Sequence, residues 1–273
     1  MFAAFALAML AATGATPKIA AAPANATPAI FSIRDSDTTI FMFGTFHVLD
    51  SRIIWFAGPV QRAFEQSDEL VVETIPPDRI VAGTPGMAET TRAMTPTANF
   101  LATTQMAIQA GQSQGMKLDS GADMVLMRIA ADQGKPVEQL ETIASQFAML
   151  ASMPPERGRV PGPAAAGRGP TPQTIPTPQS GSALPEAMVQ LQTAWASGEQ
   201  KLFAALLTDM RTSSPGTYQI MFAQRNARWA NWVAARMRAP GTVFVAVGTG
   251  HLAGPDSLLV RLAQHGLISR RVR

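Results

Sequence analysis

Cysteine is absent from this 273-residue chain, and tyrosine occurs only once. The lack of cysteine excludes disulfides, thiol nucleophiles, iron–sulfur clusters and zinc ribbons. Charged side chains make up only 15% of the residues, and the basic ones are scattered rather than grouped with aromatic residues. Because nucleic-acid-binding surfaces concentrate basic charge, the sequence predicts no nucleic-acid partner. Dinucleotide-binding and Walker-type phosphate loops are also missing, and no serine nucleophile elbow is predicted.

The start of the chain is rich in alanine and has the pattern of an export signal. Residues 2–12 form a short apolar run, and small residues with A-x-A spacing, as at residues 20–22, follow it. No Lys or Arg precedes the run, so a disordered Ala/Pro-rich tail is the alternative interpretation. No later run is long and apolar enough to cross a bilayer. We therefore predict an export signal and disordered leader over residues 1–28, no stable membrane anchor, and a periplasmic or secreted protein.

Residues 29–273 are predicted to form a single α/β domain. Short apolar runs predict strands in AIFSI, TTIFMF, ELVVETI, GKPVEQLET, GTVFVAV and LISRRVR. Helical spacing covers residues 100–114 and 122–132 and resumes after Glu186. Because strands alternate with helices at both ends and helices fill the middle, we expect a small central mixed sheet covered by helices. Residues 153–185 are rich in Pro, Gly and Ala, which predicts a flexible insertion within the domain.

The tetrapeptide Gly-Thr-x-His occurs twice, each time directly after an apolar run. One copy ends at His47 and the other at His251, and the chain has only three histidines. In open α/β sheets the ligand site lies beyond the carboxyl ends of the strands. Two such strands side by side would therefore bring the two histidines together.

Each residue of the repeated tetrapeptide has an expected role. Gly44 and Gly248 allow a sharp turn or a close approach of the backbone to a ligand. Thr45 and Thr249 have hydroxyls that can hydrogen-bond the turn. We include all four in the predicted substrate-binding region.

Two imidazoles and a carboxylate are typical ligands of a divalent metal such as Zn²⁺, Mn²⁺ or Co²⁺. Glu73 is the natural carboxylate, because it ends an apolar strand where an unpaired charge would be costly. A metal held there would favour hydrolysis, with Glu73 or Glu141 as an alternative general base. Against this stands the interpretation that histidines beside glycines are hydrogen-bonded structural residues.

Several other polar and aromatic residues have two possible roles. Arg225 and Asn226 could bind substrate oxygens or pair with a buried carboxylate, and the sequence leaves both open. Asp50 could extend the site or cap the turn that follows it, and the cap is the favoured interpretation. His265 fits the C-terminal end of a helix, where positive charge is favourable. Trp229 and Trp232, three residues apart on a predicted helix, are expected in the core.

Five segments together resemble the TraB/GumN family: TTIFMFGTFHVLD, ELVVET, GKPVEQLETIASQFAML, QRNARWANWV and VFVAVGTGHLAGPDSLLVRLAQHGLISRRV. The resemblance runs from about residue 29 to residue 272. That family is similar to the Tiki proteases of animals and, more distantly, to erythromycin esterase and the haem-binding ChaN proteins. The resemblance implies an erythromycin esterase/ChaN-like α/β fold.

The resemblance also implies a site and an activity. Tiki-like members are regarded as metal-dependent proteases with two G-x-x-H motifs and a glutamate. The matching positions are Gly44 with His47, Gly248 with His251, Glu73, the LET glutamate Glu141, and the pair Arg225 and Asn226.

Three hypotheses follow from the residues and the resemblance together. The first is an exported metal-dependent hydrolase, most plausibly a peptidase, with Glu73, Glu141 and Arg225 as catalytic residues. The second is a non-catalytic protein that binds a peptide or haem in the same cleft. The third is a purely structural role for the two histidines. The identity of the substrate and the metal, and the oligomeric state, are left open.

Overall fold

The computed structural model describes residues 25–76, 95–153 and 183–273. Within these residues the chain forms eight strands: β1 Ile30–Arg34, β2 Thr38–Thr45, β3 Leu49–Asp50, β4 Glu69–Val72, β5 Met116–Lys117, β6 Val137–Gln139, β7 Gly241–Gly248 and β8 Arg270–Arg271. Six of them form one sheet in the order β6-β4-β7-β2-β1-β8, while β3 pairs with β5. Strands β6, β4, β7 and β2 run parallel, and β1 is antiparallel to both β2 and β8. The predicted α/β class and mixed sheet are confirmed.

Helices cover the sheet and fill the middle of the chain, as predicted. Their bounds are α1 Gly58–Glu65, α2 Thr95–Ser113, α3 Ala122–Asp132, α4 Ile143–Ala151, α5 Ala183–Ala196, α6 Lys201–Ser213, α7 Pro215–Tyr218, α8 Gln224–Arg236 and α9 Leu258–Gln264. A π-helical turn, Gln219–Ala223, joins α7 to α8, so residues 215–236 form one continuous helical segment. Helix α3 has the predicted bounds, whereas α2 begins five residues before the predicted residue 100, with Pro96 in its first turn.

The central strands are apolar on both faces because the core lies on both sides of the sheet. Alternate residues of β2, β4 and β7 point to opposite faces. One face includes Phe41, Phe43, Leu70, Val72 and Phe244. The other includes Ile40, Met42, Val71, Val243 and Val245. This explains why TTIFMF and GTVFVAV are nearly continuous apolar runs rather than alternating ones.

The predicted leader and the predicted insertion lie mostly outside the described residues. Residues 1–24 of the predicted leader lie outside them, as do residues 154–182 of the predicted insertion. Residues 25–28 contact the domain, since the Ala26 N–H donates to the Ile54 carbonyl and the Thr27 N–H to the Ala196 carbonyl. Helix α5 begins at Ala183, within the last residues of the predicted insertion. Across the parts of the chain that the structure describes, no helix combines the length and apolarity that a membrane crossing requires.

Trp195 fixes the end of β2 just before the first histidine. Its indole Nε1 donates a hydrogen bond of 2.7 Å to the Gly44 carbonyl, and the side chain is buried. The ring also packs against those of Phe43 and Phe46. Helix α5 is thereby attached to the strand that delivers His47.

Trp195→Phe should lower the free energy of unfolding by about 1–3 kcal/mol, because the buried Gly44 carbonyl loses its donor. Urea denaturation of both proteins measures the difference. Trp232→Phe is the control, because that ring is only partly buried at the edge of the core. Equal losses in the two variants would contradict the role given to the hydrogen bond.

Candidate functional site

Four candidate side chains follow the carboxyl ends of four neighbouring parallel strands. Glu141 comes after β6, Glu73 directly after β4, His251 after β7 and His47 after β2. We call these four residues the carboxyl-edge row. The Glu141 N–H donates to the Glu73 carbonyl at 2.9 Å, so pairing continues just past the ends of β6 and β4. Strands β2 and β7 are adjacent and parallel, as the repeated motif predicted.

The glycines of the two tetrapeptides make room for close contacts. A β-carbon at Gly248 would lie 3.1 Å from Glu73 Oε1, 3.6 Å from His47 Nε2 and 3.7 Å from His251 Cδ2. A β-carbon at Gly44 would lie 2.8 Å from the hydroxyl oxygen of Thr249. The three residues predicted as metal ligands therefore surround one point beside Gly248, a point that a larger residue would fill.

Thr45 and Thr249 are both buried, with 1% and 2% of their surfaces exposed. This burial favours the predicted role in holding the turns. Contact with substrate, the other expectation for these two residues, stays a prediction.

Asn226 determines which nitrogen of His251 carries the proton. The Asn226 Nδ2 donates to the Asp256 backbone carbonyl at 2.8 Å. Because only the NH₂ group can face a carbonyl, Asn226 Oδ1 must face His251 Nδ1, 2.7 Å away. His251 is therefore protonated at Nδ1, and its Nε2 lone pair accepts from Arg225 Nη1 at 3.0 Å. Burial, and after it the charge of Arg225, lowers the pKa of His251 to about 3, so the ring is neutral.

Asp123 lies beside Nδ1 of His47, as Asn226 lies beside Nδ1 of His251. Its Oδ1 lies 3.0 Å from His47 Nδ1, although the angle departs from that of a hydrogen bond. His47 Nε2 is buried and has no hydrogen-bond partner among the residues that the structure describes. Histidines that ligate metals commonly direct their second nitrogen at a carboxylate or carbonyl. Both histidines have a carboxylate or carbonyl oxygen beside Nδ1, and His251 Nε2 lies 3.8 Å from Glu73 Oε1.

Arg225 joins the two carboxylates of the row. Its Nη2 donates to Glu73 Oε2 at 2.8 Å and its Nε to Glu141 Oε2 at 2.9 Å. The guanidinium has no exposed surface and lies 4.5 Å above the centre of the Trp229 ring. Of the two roles that the sequence left open, pairing with buried carboxylates is the one observed. Direct contact of Arg225 with substrate stays a prediction.

Glu73 is an anion at neutral pH despite its burial. Burial raises its pKa, but the Arg225 guanidinium, and after it His251 and His47, lowers the pKa further, so it lies well below the usual range. The Gly248 N–H also donates to Glu73 Oε1 at 2.6 Å. A carboxylate held ionised in this way suits a metal ligand better than a general base, whose pKa should lie near the working pH.

The nitrogen and oxygen atoms of His47, His251 and Glu73 are of the types that bind a divalent ion, but the distances between them are not those of a ready-made metal site. Within the described ranges, no three His, Asp or Glu side chains form a ready-made metal-ligand cluster. His251 Nε2 lies 3.8 Å from Glu73 Oε1, and Arg225 Nη1 occupies its lone pair. His47 Nε2, in contrast, is buried without a hydrogen bond beside the same carboxylate. These residues would hold an ion if Arg225 Nη1 released His251.

Sequence reasoning missed two residues of the site. Arg228 Nη2 donates to Glu141 Oε1 at 3.1 Å, and its position three residues after Arg225 on a helix was a usable signal. Asp123 had no comparable signal. It reaches His47 because the start of α3 packs on the chain after β2, where the Ala122 N–H donates to the Phe46 carbonyl.

The expected positions of Asp50, His265 and Trp229 are confirmed, whereas Trp232 is only partly buried. Asp50 Oδ1 accepts from the Arg52 backbone N–H at 3.0 Å and so caps its turn. His265 follows the last residue of α9. Trp229 is buried in the core, and Trp232 packs against it.

The segment Gly111–Gly115 reads GQSQG and thus matches the G-x-S-x-G pattern of serine hydrolases. A nucleophile elbow requires a sharp turn between a strand and a helix. Ser113 instead ends helix α2, and its hydroxyl donates to the Ala110 carbonyl at 2.7 Å. The pattern is thus present in the sequence, but Ser113 does not lie in a strand-to-helix turn.

Arg225→Met should destabilise the protein by about 3–5 kcal/mol at pH 7, because it leaves two buried carboxylates without their shared cation. The pKa of Glu73 is lowered in the wild type, so the stabilisation is present above the usual value of 4.5 and is lost as the pH falls below it. The difference in the free energy of unfolding between wild type and Arg225→Met should therefore become smaller below that pH.

Chemical denaturation at several pH values measures this gap. Arg228→Met is the matched control, because that side chain is 56% exposed and binds the same Glu141. Its loss should stay below about 1 kcal/mol. An equally large loss in the control would contradict the central role of Arg225.

Comparisons with known proteins identify a family and two partial relatives. The model of the TraB/PrgY/gumN family matches residues 29–99 and 78–271. "Uncharacterized protein YbaP" of Escherichia coli (strain K12) and that of Shigella flexneri are each 29% identical over 155 residues, covering 56% of this chain and 52% of the relative. The chain thus spans about half the length of the curated relatives it matches, and no solved structure matches it significantly. Because the family model covers most of the sequence, the chain belongs to the TraB/PrgY/gumN family.

Proposed function

We propose that this protein is an exported metal-dependent hydrolase that acts on peptides. His47, His251 and Glu73 would hold a Zn²⁺, Mn²⁺ or Co²⁺ ion beside Gly248. The observation that carries the proposal is the convergence of these three side chains on one point beside Gly248, where His251 Nε2 lies 3.8 Å from Glu73 Oε1. Such an ion, when bound, polarises a carbonyl and lowers the pKa of water. The export-signal pattern of residues 1–28 supports a periplasmic or secreted location.

The surrounding residues of the chain prepare the ligands. Asn226 keeps the Nε2 lone pair of His251 directed inward, and Asp123 Oδ1 lies 3.0 Å from His47 Nδ1, where a small rotation of either side chain would give His47 the same support. Arg225 holds the Glu73 carboxylate in place and keeps it ionised. Fixed orientation matters because a metal binds more weakly when its ligands must first be reoriented.

Glu141 and Arg225 have less direct roles in this proposal. Both oxygens of Glu141 accept hydrogen bonds from Arg225, and Oε1 accepts a further one from Arg228. Bound in this way, Glu141 acts as a positioning residue for Arg225. Its predicted role as a general base would require one oxygen to leave an arginine.

A second candidate function is binding without catalysis. The buried His47 Nε2 without a hydrogen bond also suits an axial ligand of haem. A peptide could likewise occupy the carboxyl-edge row without being cleaved. These alternatives share the site but not the need for a divalent ion.

Purified wild-type protein should contain about one equivalent of a divalent metal, or take it up from Zn²⁺, Mn²⁺ or Co²⁺ solutions. His47→Ala and His251→Ala should each lose it, because each removes one of three ligands. Elemental mass spectrometry after desalting measures the content. His265→Ala provides a matched control, since it removes the third histidine of the chain at the end of α9.

Metal retained in both His47→Ala and His251→Ala would contradict the assignment of the ligands. Wild-type protein that takes up no metal, but shows a Soret band after mixing with haem, would favour the binding function. If the metal assignment holds, peptide cleavage should depend on the same two histidines and not on His265.

A further inference from the structure

Side chains of opposite charge lie beside the two ends of the carboxyl-edge row. Arg228 lies at the β6 end, where its Nη2 binds Glu141. Asp123 lies at the β2 end, beside His47. Neighbouring strands are about 4.8 Å apart, so the three intervals from β6 to β2 span roughly 14 Å. An extended peptide of about four residues has this length.

Arg228 is the cation of the row that solvent can reach. Its side chain is 56% exposed, whereas that of Arg225 is fully buried. Its Nη2 donates to Glu141 Oε1 at 3.1 Å. An arginine has five N–H donors in a planar fork that matches a carboxylate. The bond to Glu141 uses one of these donors, and the exposed part of the side chain lies beside the predicted substrate site.

Glu141 fixes the Arg228 guanidinium from one side. Arg228 Nη2 donates to Glu141 Oε1 at 3.1 Å, and Arg225 Nε contacts both Glu141 oxygens, at 3.2 and 2.9 Å. The two guanidiniums therefore match the charge of the two carboxylates Glu73 and Glu141 at this end of the row. An anion that approaches Arg228 meets no net negative charge, and Glu141 holds the guanidinium in place for it.

We propose that Arg228 binds the C-terminal carboxylate of a short peptide that lies along the carboxyl-edge row. Arg228 is then a specificity-determining residue, and the substrate class is a peptide with a free carboxyl end rather than an internal segment of a folded protein. The inference rests on the proposed function in taking the row as the substrate site. It adds the polarity of the peptide, whose carboxyl end lies near β6 and whose amino end lies near β2.

Binding of three peptides to the full-length protein tests this inference without requiring turnover. The probes are N-acetyl-Ala-Ala-Ala as the free acid, the same peptide as the C-terminal amide, and N-acetyl-Ala-Ala-Glu amide. Isothermal titration calorimetry gives each dissociation constant. The free acid should bind at least about tenfold more tightly than either amide, because it alone supplies the terminal carboxylate for a charge-assisted pair.

Arg228→Met should abolish this preference, and Arg228→Lys should retain only part of it, since lysine lacks the planar fork. Arg238→Met is the control, because Arg238 is an exposed arginine just past the end of the same helix. It should leave the preference unchanged.

Three results would overturn the inference: equal binding of acid and amide, a preference that persists in Arg228→Met, or no binding of any probe at millimolar concentration. Tight binding of the glutamate amide would show that Arg228 recognises a side-chain carboxylate instead of a chain end. If the wild-type protein binds metal and cleaves peptides but does not prefer the free acid over the amides, only this inference is refuted. If it prefers the free acid but neither binds metal nor cleaves peptides, only the proposed hydrolase function is refuted.

Discussion

The buried guanidinium of Arg225 is the interaction on which the rest of the site depends. It contacts Glu73, Glu141 and His251, which follow three neighbouring strands of the sheet. Two carboxylates so close together and so little exposed would repel each other and favour protonation without a shared cation. Arg225 keeps Glu73 ionised, and through its bonds to both carboxylates it fixes the strand ends that carry the site. The same contacts restrict it, because a guanidinium bound on all sides has little freedom to meet a substrate.

The parallel arrangement of β6, β4, β7 and β2 turns separate sequence segments into one linear site. Each strand ends at the same edge, and each contributes one polar side chain just past its end. Of these strands, β4, β7 and β2 are apolar and buried on both faces and offer rigid supports. Asn226 and Asp123 then orient the two imidazoles from helices on either side. The outcome is a row that is fixed at its centre by buried charge and open to solvent at Arg228.

The sequence alone predicted the six strands of the main sheet, its mixed character and the pairing of the two Gly-Thr-x-His motifs, because these follow from local apolar patterns. It did not predict the short pair β3 and β5. It also identified Glu73, Glu141, Arg225 and Asn226 as members of the site. It did not predict that Asp123 meets His47, since that contact depends on how α3 packs on the chain after β2. It left the partner of Arg225 open for a similar reason. Whether Arg225 meets a substrate or a buried carboxylate depends on how deeply it is buried, and the local sequence pattern does not specify that. The relation to the erythromycin esterase and ChaN folds stays a prediction.

Nitrogen NMR of the histidine rings, before and after addition of Zn²⁺, tests the central claim most directly. Without the ion, His251 should be neutral and protonated at Nδ1, because Asn226 Oδ1 accepts from that atom. With the ion, the Nε2 signals of His47 and His251 should shift together while those of His265 stay in place. A His251 protonated at Nε2, or a Zn²⁺ response confined to one of the two rings, would contradict the account of a single site built by both motifs.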